Sequence, residues 1–413
     1  MKFLIVSLNY KPELTGSGPY SGGFAEALAA RGHEVEVIAG KPFYPQWKLF
    51  KGYSAWRWSR SFENGVSVLR CPLFIPAKVG GLTRLLHYAS FAVTAFIPTL
   101  WRALRFRPDM IVNVAPTLMS GPACLIAARL GRARTQLHIQ DFEIEAGFAT
   151  GQLGESSLTG RLAMRFGNWV IGAFDYTTTI SPAMCRKLLG KGRRPETIYE
   201  LRNWAEIEHI TPSDHSGFRA EWAISTPHVA LYSGSIAKKQ GIDVLIEVAR
   251  HLAHRKDLSF VICGNGPTED ELRLAASDLR NIQFRNLQPI ERLGEVLNLA
   301  TIHLLPQKTD AADLVLPSKL TNILASGKPV VVGSAPGTGL AEEIVGCGIA
   351  VAPENPQAMA DAIETLIEDR DAYREMAANA RHRAITFWHR DMILDNYERK
   401  LRHWMEPAAV SAG

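Results

Sequence analysis

Cysteine is scarce in this 413-residue chain: the five, at 71, 124, 185, 263 and 347, are odd in number, widely spaced and form no C-x-x-C pair. That excludes a disulfide framework and a cysteine-rich zinc site, and a reducing, cytoplasmic setting is expected. Long apolar runs are lacking as well. The most apolar long stretch, Leu85 to Trp101, holds 17 residues without a formal charge and has Pro98 near its end, which puts it at the lower edge of a membrane span with a helix-bending residue inside it. Phe3 to Leu8 is too short for a signal-peptide core and reads as a buried first strand. No low-complexity tract or 20–50-residue repeat appears, which excludes a solenoid.

Acidic residues are nearly absent from one region. Residues 51 to 107 carry nine Lys and Arg against one acid, Glu63, a net of +8. The imbalance extends over the first half: residues 1 to 200 hold 24 bases against 13 acids (+11), while 201 to 413 hold 22 against 28 (−6). A basic first half is expected to draw phosphates or an anionic membrane face, with nucleic acid as the competing partner. Arg84 and His87 at one end of the uncharged stretch, and Trp101, Arg102, Arg105 and Arg107 at the other, suit the headgroup layer of a bilayer. A helix buried between domains is the alternative.

What is present is a repeated rhythm of short β-branched runs followed by longer helical patterns, the mark of parallel α/β sheets. The expected fold class is two Rossmann-like, doubly wound domains. First-half strands are expected at Lys2–Leu8, Glu34–Ala39, Ser67–Arg70, Met110–Asn113, Thr135–Ile139 and Tyr176–Ile180. Second-half strands are expected at Val229–Ser233, Ser259–Cys263, Ile282–Arg285, Ile302–Leu305, Pro329–Gly333 and Gly348–Val351. The join falls near Arg202 to Trp222, giving domains at 1–205 and 206–385. Asp369 to Met405 reads as one or two charged amphipathic helices, and residues 386–413 as a helix returning to the first domain, with a tail.

Four segments suit ligand binding. Gly16 and Gly18 lie in the turn between the first strand and first helix, where backbone amides approach an anion. The spacing is not that of a dinucleotide fingerprint, because Ser21 stands where a third glycine is needed, which counts against a nicotinamide enzyme. Ser233, Gly234 and Lys239 form a second strand–turn–helix start, and Gly264 and Gly266 a third. The fourth, Leu316 to Val331, opens with Pro317 and Ser318 at a helix head. Lys319 in its first turn is a cation placed against the helix dipole, which calls for an anion.

Taken with Asn9-Tyr10-Lys11-Pro12-Glu13-Leu14-Thr15-Gly16, Arg31-Gly32-His33-Glu34-Val35, Phe43-Tyr44-Pro45-Gln46-Trp47, Tyr53-Ser54-Ala55-Trp56-Arg57, Leu137-His138-Ile139-Gln140-Asp141 and Lys239-Gln240-Gly241, these segments resemble the GT-B glycosyltransferases of family GT4, in particular the colanic acid (WcaI-type) fucosyltransferases. The resemblance covers nearly the full length. It implies a retaining, metal-independent transferase with a cleft between two domains, the second binding a nucleotide diphosphate sugar such as GDP-fucose or another GDP or UDP sugar. The first would receive a lipid-linked oligosaccharide in exopolysaccharide biosynthesis, peripherally at the inner face of the cell membrane, with no nucleic acid as partner. It also implies catalytic residues at His138 and Asp141, and donor contacts at Gly16, Gly18, Ser233, Gly234, Lys239, Gly264, Gly266, Pro317, Ser318, Lys319, Leu320 and Asn322.

The chain departs from the family pattern at several of these places. The family's two glutamates before Gly327-Lys328-Pro329 fall on Leu314 and Asn322, with Asp310 and Asp313 nearby as substitutes. Gln140 stands where many members have the catalytic histidine, His138 lying two residues earlier on the same strand face. Ser235 and Gln240 replace the usual arginine and lysine. Diphosphate neutralisation is therefore assigned to Lys239, Lys319 and backbone amides, and no carboxylate cluster accompanies these cations, so neither metal nor cofactor is expected. Two other classes are weighed beside the transferase: a nucleotide-sugar epimerase of the same shape, and a non-catalytic sugar-nucleotide-binding scaffold.

Overall fold

The computed structural model describes residues 1–14, 16–145, 157–205, 207, 209–237, 240–308 and 318–406, Ser318 by its backbone alone. The chain divides into two units, Met1–Leu201 and Arg202–Gly413.

The first unit is built on strands β1 (Lys2–Ser7), β2 (Glu34–Gly40), β3 (Ser59–Glu63), β4 (Val66–Cys71), β5 (Met110–Ala115), β6 (Arg134–Ile139), β7 (Tyr176–Thr179) and β8 (Ile198–Glu200), in the order β3-β4-β2-β1-β5-β6-β7-β8. Every neighbouring pair is parallel but β3–β4. Central strands covered on both faces must be apolar throughout; accordingly all six residues of β5 are buried, as are five of the six in β1. The chain winds outward from β1 through β2 and then resumes on the other side at β5, so the turns after β1 and β5 flank the place where the winding reverses.

Two strands lie outside the sequence expectation. β3 is an exposed edge strand joined to β4 through Asn64-Gly65, with φ of 48° and 85°. Asn-Gly with both φ positive is a strong local hairpin signal, so β3 was legible in principle. β8 has only three residues, too few for any periodicity.

The uncharged stretch lies within a single helix, Gly81–Phe106. Its buried face is His87, Phe91, Ala95, Thr99 and Arg102 with Ala103, at helical spacing. The opposite face exposes Leu82, Leu86, Val93, Ile97, Trp101 and Leu104. Pro98 has no N–H to give the carbonyl of Thr94 four residues earlier; the Trp58 indole N–H donates to that carbonyl instead, at 3.3 Å. Among the described residues no helix is long and apolar enough to cross a membrane. One expected lipid-facing cation is corrected: Arg102 is buried, pairs with Glu36 at 3.0 Å and stacks on Trp101, leaving Arg105 and Arg107 exposed.

The described residues of the second unit form six parallel strands, β9 (His228–Ser233), β10 (Leu258–Cys263), β11 (Ile282–Arg285), β12 (Ile302–Leu305), β13 (Val330–Gly333) and β14 (Gly348–Val351), ordered β11-β10-β9-β12-β13-β14. Its winding reverses between β9 and β12. The charged C-terminal segment forms two helices, Arg370–Trp388 and Arg390–Met405, separated because His389 leaves helical geometry and its Nδ1 accepts from Asp391 N. Trp388 anchors the first of them: its indole N–H donates to buried Glu343, which also pairs with Arg202 at 2.8 Å.

Candidate functional site

In an open α/β sheet, ligands bind outside the carboxyl ends of the strands where the winding reverses. In the second unit that place lies beyond β9 and β12, and the helix Ser318–Ala325, between β12 and β13, starts there. Tyr232 is the penultimate residue of β9. Its hydroxyl accepts from Lys319 Nζ at 2.7 Å and donates to the Ser235 carbonyl at 2.6 Å, and the ammonium lies 4.3 Å from the ring centroid. Burial pushes the phenol's pKa far above its usual value, so it stays neutral and serves as a fixed dipole for the cation.

Gly234 follows with φ of 142°, and a Cβ there would lie 2.2 Å from Lys319 Cε and 2.3 Å from Nζ. The ammonium thus occupies the space that any side chain at 234 would fill. The structure therefore brings Ser233, Gly234 and Lys319 together, and adds Tyr232 from the end of the buried strand β9.

Gly264 and Gly266 have a different local reason. Cβ atoms there would sit 1.8 Å from the Gly234 carbonyl oxygen and 1.9 Å from that of Ile236, while Ile236 N donates to the Asn265 carbonyl at 2.9 Å. These glycines let the turn after β10 lie directly under the turn that carries Gly234. Leu320 is fully buried in the core and Asn322 is half-buried. Lys239, Pro317, Leu314, Asp310 and Asp313, and the Ser318 side chain, lie outside the described residues. Among those described, no group of three or more His, Cys, Asp and Glu is arranged to hold a metal ion.

In the first unit Gly16 and Gly18 serve a clamp. Glu13 is buried, and its carboxylate accepts from Asn9 Nδ2 at 2.9 Å, Phe43 N at 2.9 Å and Tyr44 N at 3.0 Å. It thereby ties the turn after β1 to the turn after β2. A Cβ at Gly18 would meet Glu13 Cβ at 2.9 Å and one at Gly16 the Tyr44 ring at 3.2 Å, so Gly18 makes room for the clamping residue and Gly16 for the close approach of the two turns. In the sequence Glu13 stands within a motif and carries no local sign of this role, because its backbone partners are 30 and 31 residues away.

His138 lies at the carboxyl end of β6, 8 % exposed. Gln140 Nε2 donates to its Nε2 at 2.8 Å, leaving the proton on Nδ1 to be donated to Thr178 Oγ1 at 2.9 Å. Burial holds its pKa down at about 4, so it is a neutral imidazole with both nitrogens engaged. The three carboxyl groups of Asp141, Glu143 and Glu145 follow. Glu143 accepts from Leu118 N at 2.7 Å, yet burial, reinforced by Asp141 and Glu145, pushes its pKa up to about 7. Glu145 is neutralised by Lys191 at 2.6 Å, and Lys187 lies 4.4 Å from the Phe142 ring centroid.

With these sites placed, the relatives become informative. Residues 15–204 match the model of the glycosyl transferase 4-like domain, and residues 216–383 that of glycosyl transferases group 1. Over 374 residues the chain is 41% identical to the glycosyl transferase WcaI of Escherichia coli (strain K12), named for colanic acid biosynthesis, covering 88% of this chain and 91% of that one. It belongs to the group 1, GT4-like glycosyltransferases. Two solved structures share the GT-B fold with this glycosyltransferase. A sucrose-phosphate synthase from Thermosynechococcus elongatus has a TM-score of 0.73 at 15% identity, covering 97% of this chain and 98% of that one. Anabaena HepE, solved with UDP, has 0.68 at 18%, covering 98% and 100%. Membership sets aside the epimerase reading. In this glycosyltransferase, then, the pairing of Lys319 with the Gly234 turn sits in the unit that matches the group 1 model.

Proposed function

We propose that the protein is a retaining glycosyltransferase that moves a sugar from a GDP or UDP donor, GDP-fucose among them, to a lipid-linked oligosaccharide in exopolysaccharide biosynthesis of the colanic acid type. The observation that carries the reading is the Lys319 ammonium held by Tyr232 over Gly234, where the second sheet reverses its winding. The relative named for colanic acid biosynthesis supports the pathway class, and HepE, solved with UDP, the donor class.

Negative charge develops on the diphosphate as the glycosidic bond to it breaks. A preoriented cation and backbone amides stabilise that charge without reorganising, so the second unit needs no metal for this step. Asp141 and His138 line the reaction centre in the first unit. His138, neutral and fixed by Gln140 and Thr178, orients the segment leading to Asp141.

The acceptor is drawn from an anionic membrane surface. Leu86, Val93, Ile97 and Trp101 form an exposed apolar face on the helix Gly81–Phe106, with Arg105 and Arg107 beside its end; such a face adsorbs at the headgroup boundary without spanning it. Incubating the protein with GDP-fucose and other GDP and UDP sugars, plus a lipid-linked acceptor, tests the reaction. Acceptor-dependent release of nucleoside diphosphate, with the donor's anomeric configuration retained in the product, is expected. Donor binding without transfer to any such acceptor would support the scaffold reading instead. Flotation with phosphatidylglycerol vesicles tests the surface: binding at low salt, partial release at high salt and loss in Ile97→Glu are expected, and absence of binding at every ionic strength refutes it.

A further inference from the structure

Three buried polar groups of the first unit lie together with too few acceptors, and none has a role in the proposed transfer. Tyr10 follows β1, Lys41 follows β2 and Arg70 is the penultimate residue of β4, so all three stand at the carboxyl edge of the sheet. The register pairs Ala39 with Arg70. Side chains two residues apart on an extended chain point the same way, which sets Lys41 and Arg70 on one face. None of the three is more than 2 % exposed.

The Arg70 guanidinium lies 5.6 Å from the Tyr10 ring centroid and 5.5 Å from that of Tyr53, and Lys41 Nζ is 5.9 Å from the same Tyr53 ring. Arg70 Nη2 donates to both carboxylate oxygens of Glu63 at 3.0 Å, but Nη1 is buried without a partner, as is the Tyr10 hydroxyl. Lys41 Nζ donates to Ser59 Oγ, a neutral group. Glu63 pairs with Arg70 and the buried Glu13 carboxylate lies within electrostatic reach of it, yet neither meets Nη1 or the Tyr10 hydroxyl, and Lys41 has only a neutral partner. A buried charge and buried donors left unmatched are costly, and an anion offering several oxygens would answer all three groups at once.

We propose that Lys41, Arg70 and Tyr10 form a binding site for a phosphate-class oxyanion under the Tyr53 ring, and that it takes the phosphate of the lipid-linked acceptor. The second clause rests on the proposed function; the first does not. A phosphate has enough oxygens to meet Arg70 Nη1, the Lys41 ammonium and the Tyr10 phenol separately, which the two oxygens of a carboxylate do not.

Calorimetric titration of the full chain with sodium phosphate, sodium pyrophosphate and, as the carboxylate arm, sodium acetate at matched ionic strength tests the site. Phosphate and pyrophosphate are expected to bind the wild type, at least tenfold more weakly to Lys41→Met and about threefold more weakly to Tyr10→Phe, with Lys319→Ala retaining this site. Tyr10→Phe, which removes one oxygen, carries the test if Lys41→Met does not fold. Wild-type affinity in both variants, loss confined to Lys319→Ala, or acetate binding as tightly as phosphate would each overturn the site. In transfer assays Lys41→Met should raise KM for a polyprenyl-diphosphate acceptor at least tenfold. An unchanged KM beside Lys41-dependent phosphate binding removes the acceptor assignment and leaves both the site and the transferase reading intact, whereas Lys41-dependent phosphate binding in a protein that uses no lipid-linked acceptor overturns the proposed acceptor and keeps the site.

Discussion

Gly234→Ala tests the proposed donor site without touching a charged residue. The new Cβ would lie 2.2 Å from Lys319 Cε and 2.3 Å from Nζ, well inside contact distance, so the lysine must withdraw by about 1 Å or more and lose its 2.7 Å bond to Tyr232. A φ of 142° is also a glycine conformation, and holding alanine there costs about 1–3 kcal/mol of folding stability. A charge-assisted hydrogen bond contributes about 1.5–3 kcal/mol, so affinity for the donor diphosphate should fall about 10- to 150-fold. Lys319→Ala should fall by a similar factor, and the double variant by little more than either, because both changes remove the same contact. The assay is calorimetric titration with UDP and GDP, each against its nucleoside. The nucleoside, lacking the diphosphate, should bind all three variants like wild type. Gly234→Ala binding the diphosphate at wild-type strength, or additive losses in the double variant, would refute the reasoning.

Asp141→Asn is expected to abolish transfer while donor affinity stays at the wild-type value; His138→Ala should do the same and also lower thermal stability, because Gln140 and Thr178 lose a buried partner. Full turnover in both would remove them from the reaction centre. Acid should destabilise the protein: burial holds His87 and His138 at about 4 and His303 at about 3, so the unfolded chain binds more protons and stability is lost as pH falls from about 6.5 toward 4. By pH 5 the three cost about 6 kcal/mol, and Glu143, pushed up to about 7 and so favouring the native state on acidification, returns about 2; equal urea midpoints at pH 7 and pH 5 would contradict this. Glu13→Ala orphans Asn9 and two backbone amides and should cost about 3 kcal/mol, or roughly 6–12 °C in Tm, read by thermal melting; a melt within a degree of wild type would show that the clamp contributes nothing.

The sequence alone determined the layered architecture, because a strand covered on both faces must be a continuous apolar run, and such runs need no distant information to be seen. β11, β12 and β14 fall where the residues place them to the residue, and most other strands within one or two positions. Glycines beside strand ends pointed to turns, and Lys319 in a helix's first turn pointed to an anion. What tertiary structure decided is which of these groups meet. Arg102 looked like a lipid-facing cation by its position in a basic flank, but its partner Glu36 lies on a strand 66 residues earlier. Gly264 and Gly266 read locally as a glycine turn after a strand, and only the fold shows that a side chain at either would meet the carbonyls of Gly234 and Ile236. Lys41 and Arg70 carry no local signal at all; only the parallel pairing of β2 with β4 sets two cations on one face. Local pattern encodes burial because burial is periodic along the chain, whereas a site is a coincidence of strand ends, and the order in which strands pair exists only in three dimensions.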